Sequence, residues 1–483
     1  MPDPLAGRAA ASPNKAAVID ASTGAVTTWA ELDEAAGAMA GKLREAGVRG
    51  GDRVAVVAAP GLEVIATLHA GMRLGAALMP MSPRVPAREL SRALADAGPV
   101  LLVTPANFDA AFVDRSRTQV TTFTALGAIP ADPVPGGDLD EVADVCVVYT
   151  SGSSGPPKGV RLTMRNCIAS ATGCAEALGM NGPDDRWLLT LGTHRVGGIA
   201  ILFRSLLTGA AVVVVPRFAE ATVVAAMRHR PTLMSLVPAM LVRLVAHGAQ
   251  RDLCALRAIL LGGAPAPAAS VRRWAGYGLP VCASYGLTET ASQIAVVPPG
   301  EANRFAGSAG LVHSQARVSI LSEDAAGQPD RGAPVGEIVV SGPVLSPGYV
   351  GLPEAPRGSD GTATNRTFRT GDVGYLDERR ALIIVGRRDY TIITGGEKVN
   401  PEEVEAVLGM HPGVLDAAVR GIPDETYGSV VEAVIVGDAD EVALRRWCAD
   451  QLASYKVPRR YRVVGALPRS DDGKLLRELL ADS

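Results

Sequence analysis

The sequence predicts an α/β chain built on parallel, doubly wound sheets, followed by a β-rich stretch. Short apolar runs alternate with helical patterns from Trp187 to Ala283, which is the signature of strand–helix–strand units. A strand-like run, Val145 to Tyr149, leads directly into a glycine- and serine-rich loop. At 483 residues the chain also exceeds what one core organises, so two or three domains are expected.

Taken in order, Thr28 is placed to cap a helix running from Trp29 to Arg44. Val54–Ala58 reads as a strand, Glu63 to Leu74 as a helix, and Ala76–Pro80 as another strand. Asp132 to Asp138 is rich in proline and glycine and reads as an exposed connection. After the loop come a short strand, Val160 to Met164, and a helix beginning near Arg165. Trp187–Leu191, Ala211–Val215, Leu233–Val237, Ala258–Leu261 and Pro280–Ala283 are strand-like, with helical stretches at roughly 197–208, 219–230, 238–248 and 265–276. In such a sheet, ligands gather at the carboxyl ends of strands. Gly262, Gly263 and Ala264 follow one such strand, and the run Ser284 to Glu289 follows another. From about residue 310 the pattern changes to shorter β-like runs joined by Gly/Pro turns.

Composition excludes several classes. A hydrophobic share of 47% with 20% charged residues is that of a globular protein. A formal net charge of −3 gives no electrostatic case for nucleic acid or an anionic membrane. The six cysteines form no CxxC pair and read as reduced core residues of a cytoplasmic protein. The N-terminus lacks a basic stretch followed by an apolar one, so no signal peptide is expected. Arg204 interrupts the apolar run Gly197 to Val215, which argues against a membrane span.

The loop Tyr149-Thr150-Ser151-Gly152-Ser153-Ser154-Gly155-Pro156-Pro157-Lys158-Gly159 carries the chemistry. Backbone N–H groups freed by glycine, hydroxyls and one ammonium are what holding phosphate oxygens requires. A passive Gly/Ser linker is the bland alternative, and two successive prolines followed by lysine disfavour it. A P-loop does not fit, because Gly159 follows Lys158 where a magnesium-binding hydroxyl belongs. Only six lysines occur, at 15, 42, 158, 398, 456 and 474; in a chain this rich in arginine, lysine tends to be kept where a compact ammonium is needed, and three of the six fall in the motif stretches.

The stretch resembles the [ST]SG[ST][ST]GxPKG signature of the adenylate-forming superfamily: acyl-CoA synthetases, luciferases and peptide-synthetase adenylation domains. The amidase-signature hydrolases also use Gly-Ser-Ser-Gly, but need an upstream lysine, and none lies between Leu43 and Pro157. Further matches follow in the superfamily's order. Ser284–Ser292 resembles its YGxTE segment, Phe368–Asp377 its TGD segment, Gly386–Glu405 its hinge segment, and Pro468–Arg477 its lysine-bearing tail. On these residues the chain is identified as a member of that superfamily.

What the resemblance implies is a large N-terminal domain over residues 1–388 and a small, mobile α+β C-terminal domain over 389–483, turning about Asp389. ATP, Mg²⁺ and CoA are the implied cofactors. Thr150, Ser151, Gly152, Ser153, Ser154, Gly155 and Lys158 would face the phosphates, and Gly262, Gly263, Ala264 and Gly286 would wall the nucleotide pocket. Tyr285 would offer a face to adenine, Thr288 a hydroxyl near the α-phosphate, and Glu289 the carboxylate for Mg²⁺. Asp372 would accept the ribose hydroxyls and Arg387 would contact ribose and phosphate. Gly395 and Gly396 would lie along the pantetheine arm, and Lys474 would bridge the acyl carboxylate and α-phosphate.

Within the superfamily, Asp185-Arg-Trp-Leu-Leu through Arg204-Ser205 is similar to the o-succinylbenzoate–CoA ligases. That branch carries Leu-Pro-x-[aromatic or His]-His where this chain reads Leu191-Gly192-Thr193-His194-Arg195 ahead of Gly198. Arg195 thus stands where a gating histidine is expected, and either pairs with a second substrate carboxylate, marks a different acid, or leaves the gate to His194. The implied activity is ATP-dependent adenylation of a bulky carboxylic acid followed by transfer to CoA. A ligase for an aryl, polyketide or terpenoid acid, and an acyl-adenylate binding module that stops before the thioester, stay open beside it. A homodimer is compatible with all three.

Overall fold

The apolar runs pair into two large sheets. The computed structural model describes residues 1–150, 157–180, 182–322, 334–352, 366–394, 397–424, 426–469 and 475–481. A seven-stranded sheet runs in the order Gly348–Tyr349, Lys158–Thr163, Asp144–Thr150, Ala77–Met81, Arg53–Val57, Leu101–Thr104, Gln119–Thr122. Its last five strands are mutually parallel, and Lys158–Thr163 folds back antiparallel on Asp144–Thr150. A nine-stranded sheet runs Leu311–Val312, Ser292–Val296, Val281–Leu287, Ala258–Leu261, Leu233–Leu236, Arg186–Leu189, Ala211–Val214, Ala16–Asp20, Val26–Thr28. It is parallel from Val281–Leu287 to Ala16–Asp20.

One core is shared by both sheets and by the helices Trp29–Glu45, Leu62–Leu74, Met164–Ala177 and Val196–Thr208. Trp29, Trp187, Phe203 and Leu68 are its largest buried apolar side chains, each contributing roughly 1.5–3 kcal/mol relative to exposure. The first of these helices starts as expected: the Thr28 hydroxyl accepts the Glu31 N–H while the Glu31 carboxylate accepts the Thr28 N–H.

Two placements differ from the sequence reading. Ala16–Asp20 is a strand of the nine-stranded sheet, recruited by pairing with Ala211–Val214, a partner far away in sequence. Ser284 to Leu287 does not follow a strand but continues it, because Ser292–Val296 returns antiparallel along the same residues.

The β-rich part is a four-stranded antiparallel sheet of Arg317–Leu321, Gly336–Ser341, Thr367–Leu376 and Leu382–Arg387. Beyond it, Val414–Asp424, Gly428–Gly437 and Arg460–Val463 form a sheet with its own core, packed by the helices Pro401–Leu408 and Glu441–Ala449. Among the described residues, no helix is long and apolar enough to cross a membrane.

The chain's start is pinned by charge. The Asp3 carboxylate caps the helix Pro4–Ala11 and accepts Arg73 Nε at 2.8 Å, while Arg73 also bonds Asp33. The Arg73 side chain is 2% exposed and that of Asp3 is 6%. Removing one partner of such a pair strands a buried charge. Arg73→Ala is therefore expected to lower stability by roughly 3–5 kcal/mol in chemical denaturation, with Asp33→Ala costing clearly less.

Candidate nucleotide and acid site

The strand Asp144–Thr150 and its return Lys158–Thr163 form the neck of the phosphate loop, with Thr150 opposite Lys158 as the last pair. Ser151, Gly152, Ser153, Ser154 and Gly155 lie outside the described residues. At the neck, the Tyr149 ring lies against Gly159, where a Cβ would come within 2.9 Å of it. The phenol donates to Asp96 Oδ2 at 2.6 Å and to the Ala93 carbonyl at 3.1 Å, tying the neck to the helix Ala87–Ala97. Lys158 is exposed, its ammonium 5.4 Å from the centre of the Tyr349 ring.

The expected nucleotide wall comes together from separate elements. Gly262, Gly263 and Ala264 follow Ala258–Leu261, and Ser284 Oγ donates to the Leu261 carbonyl at 2.8 Å alongside them. The Tyr285 phenol donates to Asp372 Oδ2, and Arg387 Nη1 stands 3.3 Å from Asp372 Oδ1. Asp372 and Arg387 meet because they are direct partners across antiparallel strands. Burial, then the neighbouring carboxylate, pushes the Tyr285 phenol well above its ordinary range, so it remains a neutral donor. Gly286 sits at a bulge in the pairing with Ser292–Val296, which turns the chain toward Thr288.

Thr288 opens a single helical turn, Thr288–Thr290. Within it Glu289 Oε1 accepts the Tyr349 hydroxyl at 2.8 Å, and the Glu289 carbonyl accepts the Ser346 N–H at 2.8 Å. No group of three or more His, Cys, Asp or Glu residues able to hold a metal occurs among the described residues. A lone carboxylate beside a phosphate loop nonetheless fits Mg²⁺, which takes one or two protein carboxylates and completes its shell with phosphates and water.

In the segment where the branch signature changes, Arg195 N-caps the helix Val196–Thr208 through its backbone and its N–H bonds the Gly192 carbonyl at 3.0 Å. The His194 ring rests directly on Gly192, so a side chain at 192 would collide with it. A Cβ at Gly198 would in turn overlap the Gly192 carbonyl. Gly192 is thus held between the His194 ring and Gly198 with no room for a side chain.

The sequence reading missed the cation nearby. Arg204, on the helix Val196–Thr208, is 1% exposed and stacks over Trp187 at 4.9 Å. Its Nη2 donates to Ser292 Oγ at 3.1 Å and Gln293 Oε1 at 2.5 Å, and its Nε has no hydrogen-bond partner among the described residues. No carboxylate pairs with it there, and burial pulls the guanidinium below its ordinary value without neutralising it. The imidazole of His313 closes the same group, its Nε2 2.8 Å from the Gln293 carbonyl, and Gly173 leaves the room its ring needs. The signals for Arg204 were a charge inside an apolar run and its place, with Ser205, at the end of the branch-like stretch.

On the C-terminal side, Asp389 lies in the turn Arg388–Tyr390, while Gly395, Gly396 and Lys474 fall outside the described residues. Both flanks of 470–474 are pinned. Arg469 and Leu475 form a bridge, Arg469 Nη2 bonds Asp416 at 2.8 Å, and Arg477 bonds Glu405 at 2.6 Å and the Val419 carbonyl at 2.8 Å. Tyr390, next to Asp389, lies under the Arg477 guanidinium at 5.2 Å.

Comparison with known proteins accords with this geometry. Residues 5–350 match the family model described as AMP-binding enzyme, and residues 403–474 match the AMP-binding enzyme C-terminal domain. A 2-succinylbenzoate–CoA ligase of Geobacillus kaustophilus (strain HTA426) is 39% identical over 492 residues, covering 99% of this chain and 97% of the relative. Among solved structures, the o-succinylbenzoate CoA synthetase of Bacillus subtilis bound to the acyl-adenylate intermediate OSB-AMP superposes with a TM-score of 0.90 at 33% identity, covering 100% of this chain and 98% of that one. The same enzyme with ATP and magnesium superposes with a TM-score of 0.88 at 33% identity, covering 100% of both chains. With both family models matched in order along one chain, and a fold shared from end to end, the chain belongs to the AMP-binding enzyme family.

Proposed function

We propose that the chain is an ATP-dependent ligase converting 2-succinylbenzoate to its adenylate and then to its CoA thioester. The observation that carries this reading is the Arg204 guanidinium, 1% exposed and without a carboxylate among the described residues. An acid bearing a second carboxylate supplies the missing counter-charge, and the Arg204 Nε is the donor left to meet it. The relatives named above act on such a diacid. Arg195, at the helix entrance, serves the pocket mouth, and His194 on Gly192 forms its wall.

In the first half-reaction the succinyl carboxylate attacks the α-phosphorus, the bond to the β-phosphate oxygen breaks, and pyrophosphate leaves. Residues 1–388 hold ATP and acid: Asp372 and Arg387 orient the ribose, Tyr285 faces adenine, and Lys158 and Thr288 bind phosphate oxygens. Glu289 would hold Mg²⁺, which when bound would supply positive charge beside the phosphates. Lys474 bridges the attacking carboxylate and the α-phosphate, a task suited to a point charge on a flexible arm. Residues 389–483 then turn about Asp389, Gly395 and Gly396 line the pantetheine arm, and the CoA sulfur attacks the acyl carbon. The thiol proton passes to solvent and AMP departs with the bonding electrons.

Incubation with 2-succinylbenzoate, Mg·ATP and CoA is expected to release one pyrophosphate per thioester, followed by mass spectrometry. The analogue lacking the benzoate carboxyl should show kcat/KM lower by roughly 10–100-fold, the worth of a charge-assisted contact. Equal efficiency with both acids contradicts the diacid reading. Lys474→Ala is expected to slow adenylation by at least about 100-fold while sparing thioester formation from preformed acyl-AMP. A variant slowed equally in both halves would place Lys474 outside the first step.

A further inference from the structure

We propose that Tyr349 is a positioning residue that aims both the Glu289 carboxylate and the Lys158 ammonium at the nucleotide phosphates. This rests on Glu289 as the metal-facing group and Lys158 as the phosphate-facing one. The two come from motifs far apart in sequence, and one phenol touches both. Its hydroxyl donates to Glu289 Oε1 at 2.8 Å, and its ring centre lies 5.4 Å from Lys158 Nζ. Engaging Oε1 from the protein side turns Oε2 outward, and the π face restrains the long lysine stem.

The backbone fixes this phenol from both sides. Tyr349 pairs with Val160 and Gly348 with Arg161, extending the sheet beside the strand that begins at Lys158. The Val350 N–H donates to the Gly159 carbonyl at 2.8 Å. At the other end the Ser346 N–H donates to the Glu289 carbonyl at 2.8 Å, and Ser346 Oγ closes a turn on Gly348. The segment Ser346 to Val350 is thus strapped to the Glu289 turn and to the loop neck, with the tyrosine between them.

The test is calorimetric binding of α,β-methylene-ATP to the full chain, with and without Mg²⁺, for Tyr349→Phe, Tyr349→Leu and Glu289→Gln. Tyr349→Phe is expected to cut the metal-dependent gain in affinity about fivefold and leave metal-free affinity unchanged. Tyr349→Leu should also weaken metal-free binding, by roughly twofold to fivefold, as the lysine loses its platform. Glu289→Gln should abolish the metal-dependent gain. If Glu289→Gln abolishes it and Tyr349→Phe keeps it whole, the proposal fails while the metal reading stands. A Glu289→Gln variant that retains the gain removes the metal reading and the proposal with it. Equal losses with and without metal, together with a lowered Tm, would make Tyr349 a packing residue and overturn the proposal.

Discussion

A guanidinium placed in the core, with no carboxylate against it among the described residues, constrains much of what surrounds it. Moving a charge into such a setting costs several kcal/mol by order of magnitude, so every neighbour of Arg204 is arranged to offset it. Trp187 offers its face, and Ser292 and Gln293 offer oxygens. Gln293 in turn donates to Cys174 Sγ at 3.1 Å, and its carbonyl engages His313. Ser292 adopts φ of 127°, a conformation side chains other than glycine's rarely hold, just after Ala291 at φ 53°. That strained corner is the one that folds Ser292–Val296 back along Val281–Leu287. The residues proposed to meet the nucleotide, Tyr285 to Glu289, occupy the other arm and tip of the same hairpin. The proposed acid end and the proposed nucleotide end are therefore one continuous piece of backbone.

The nucleotide end is assembled by pairing rather than by proximity in sequence. Asp372 and Arg387 face each other through strand register, and Tyr285 reaches them from the nine-stranded sheet. Below them Glu337 gathers Arg369 Nε at 2.9 Å and Arg388 at 3.2 Å. Arg388 directly precedes Asp389, so the residue proposed as a hinge leaves from a fixed charge pair. Past it, Tyr390 is met by Arg477 from the tail that carries Lys474.

Local features were legible in the sequence because their causes are local. The Thr28 cap with Glu31, the strand before the phosphate loop, and the alternating units from Trp187 onward depend on neighbours within a few residues. The motif residues could be picked out in the sequence, but not what holds them. Tyr349 joins Glu289 and Lys158 through an edge strand of two residues, too short to leave a periodic signal. Arg204 was read as an interruption in an apolar run and as part of the branch signature, but not as a site residue, since its partners Ser292 and Gln293 lie some ninety positions on and are neutral. At Gly192 the sequence carried no sign of the His194 ring that lies on it. Ala16–Asp20 was missed for the same reason as Arg204: its strand exists because Ala211–Val214 accepts it.

The central claim is that Arg204 reads a second carboxylate, and Arg204→Met tests it most directly. A buried charge replaced by an apolar chain of similar length is often neutral for stability, so the variant is expected to fold with a Tm close to that of the parent. Measured by pyrophosphate release, its preference for 2-succinylbenzoate over the acid lacking the benzoate carboxyl should collapse toward unity, with activity on the monoacid retained. A folded Arg204→Met protein that keeps the full preference would contradict the account and return the choice of acid to Arg195 and the pocket mouth.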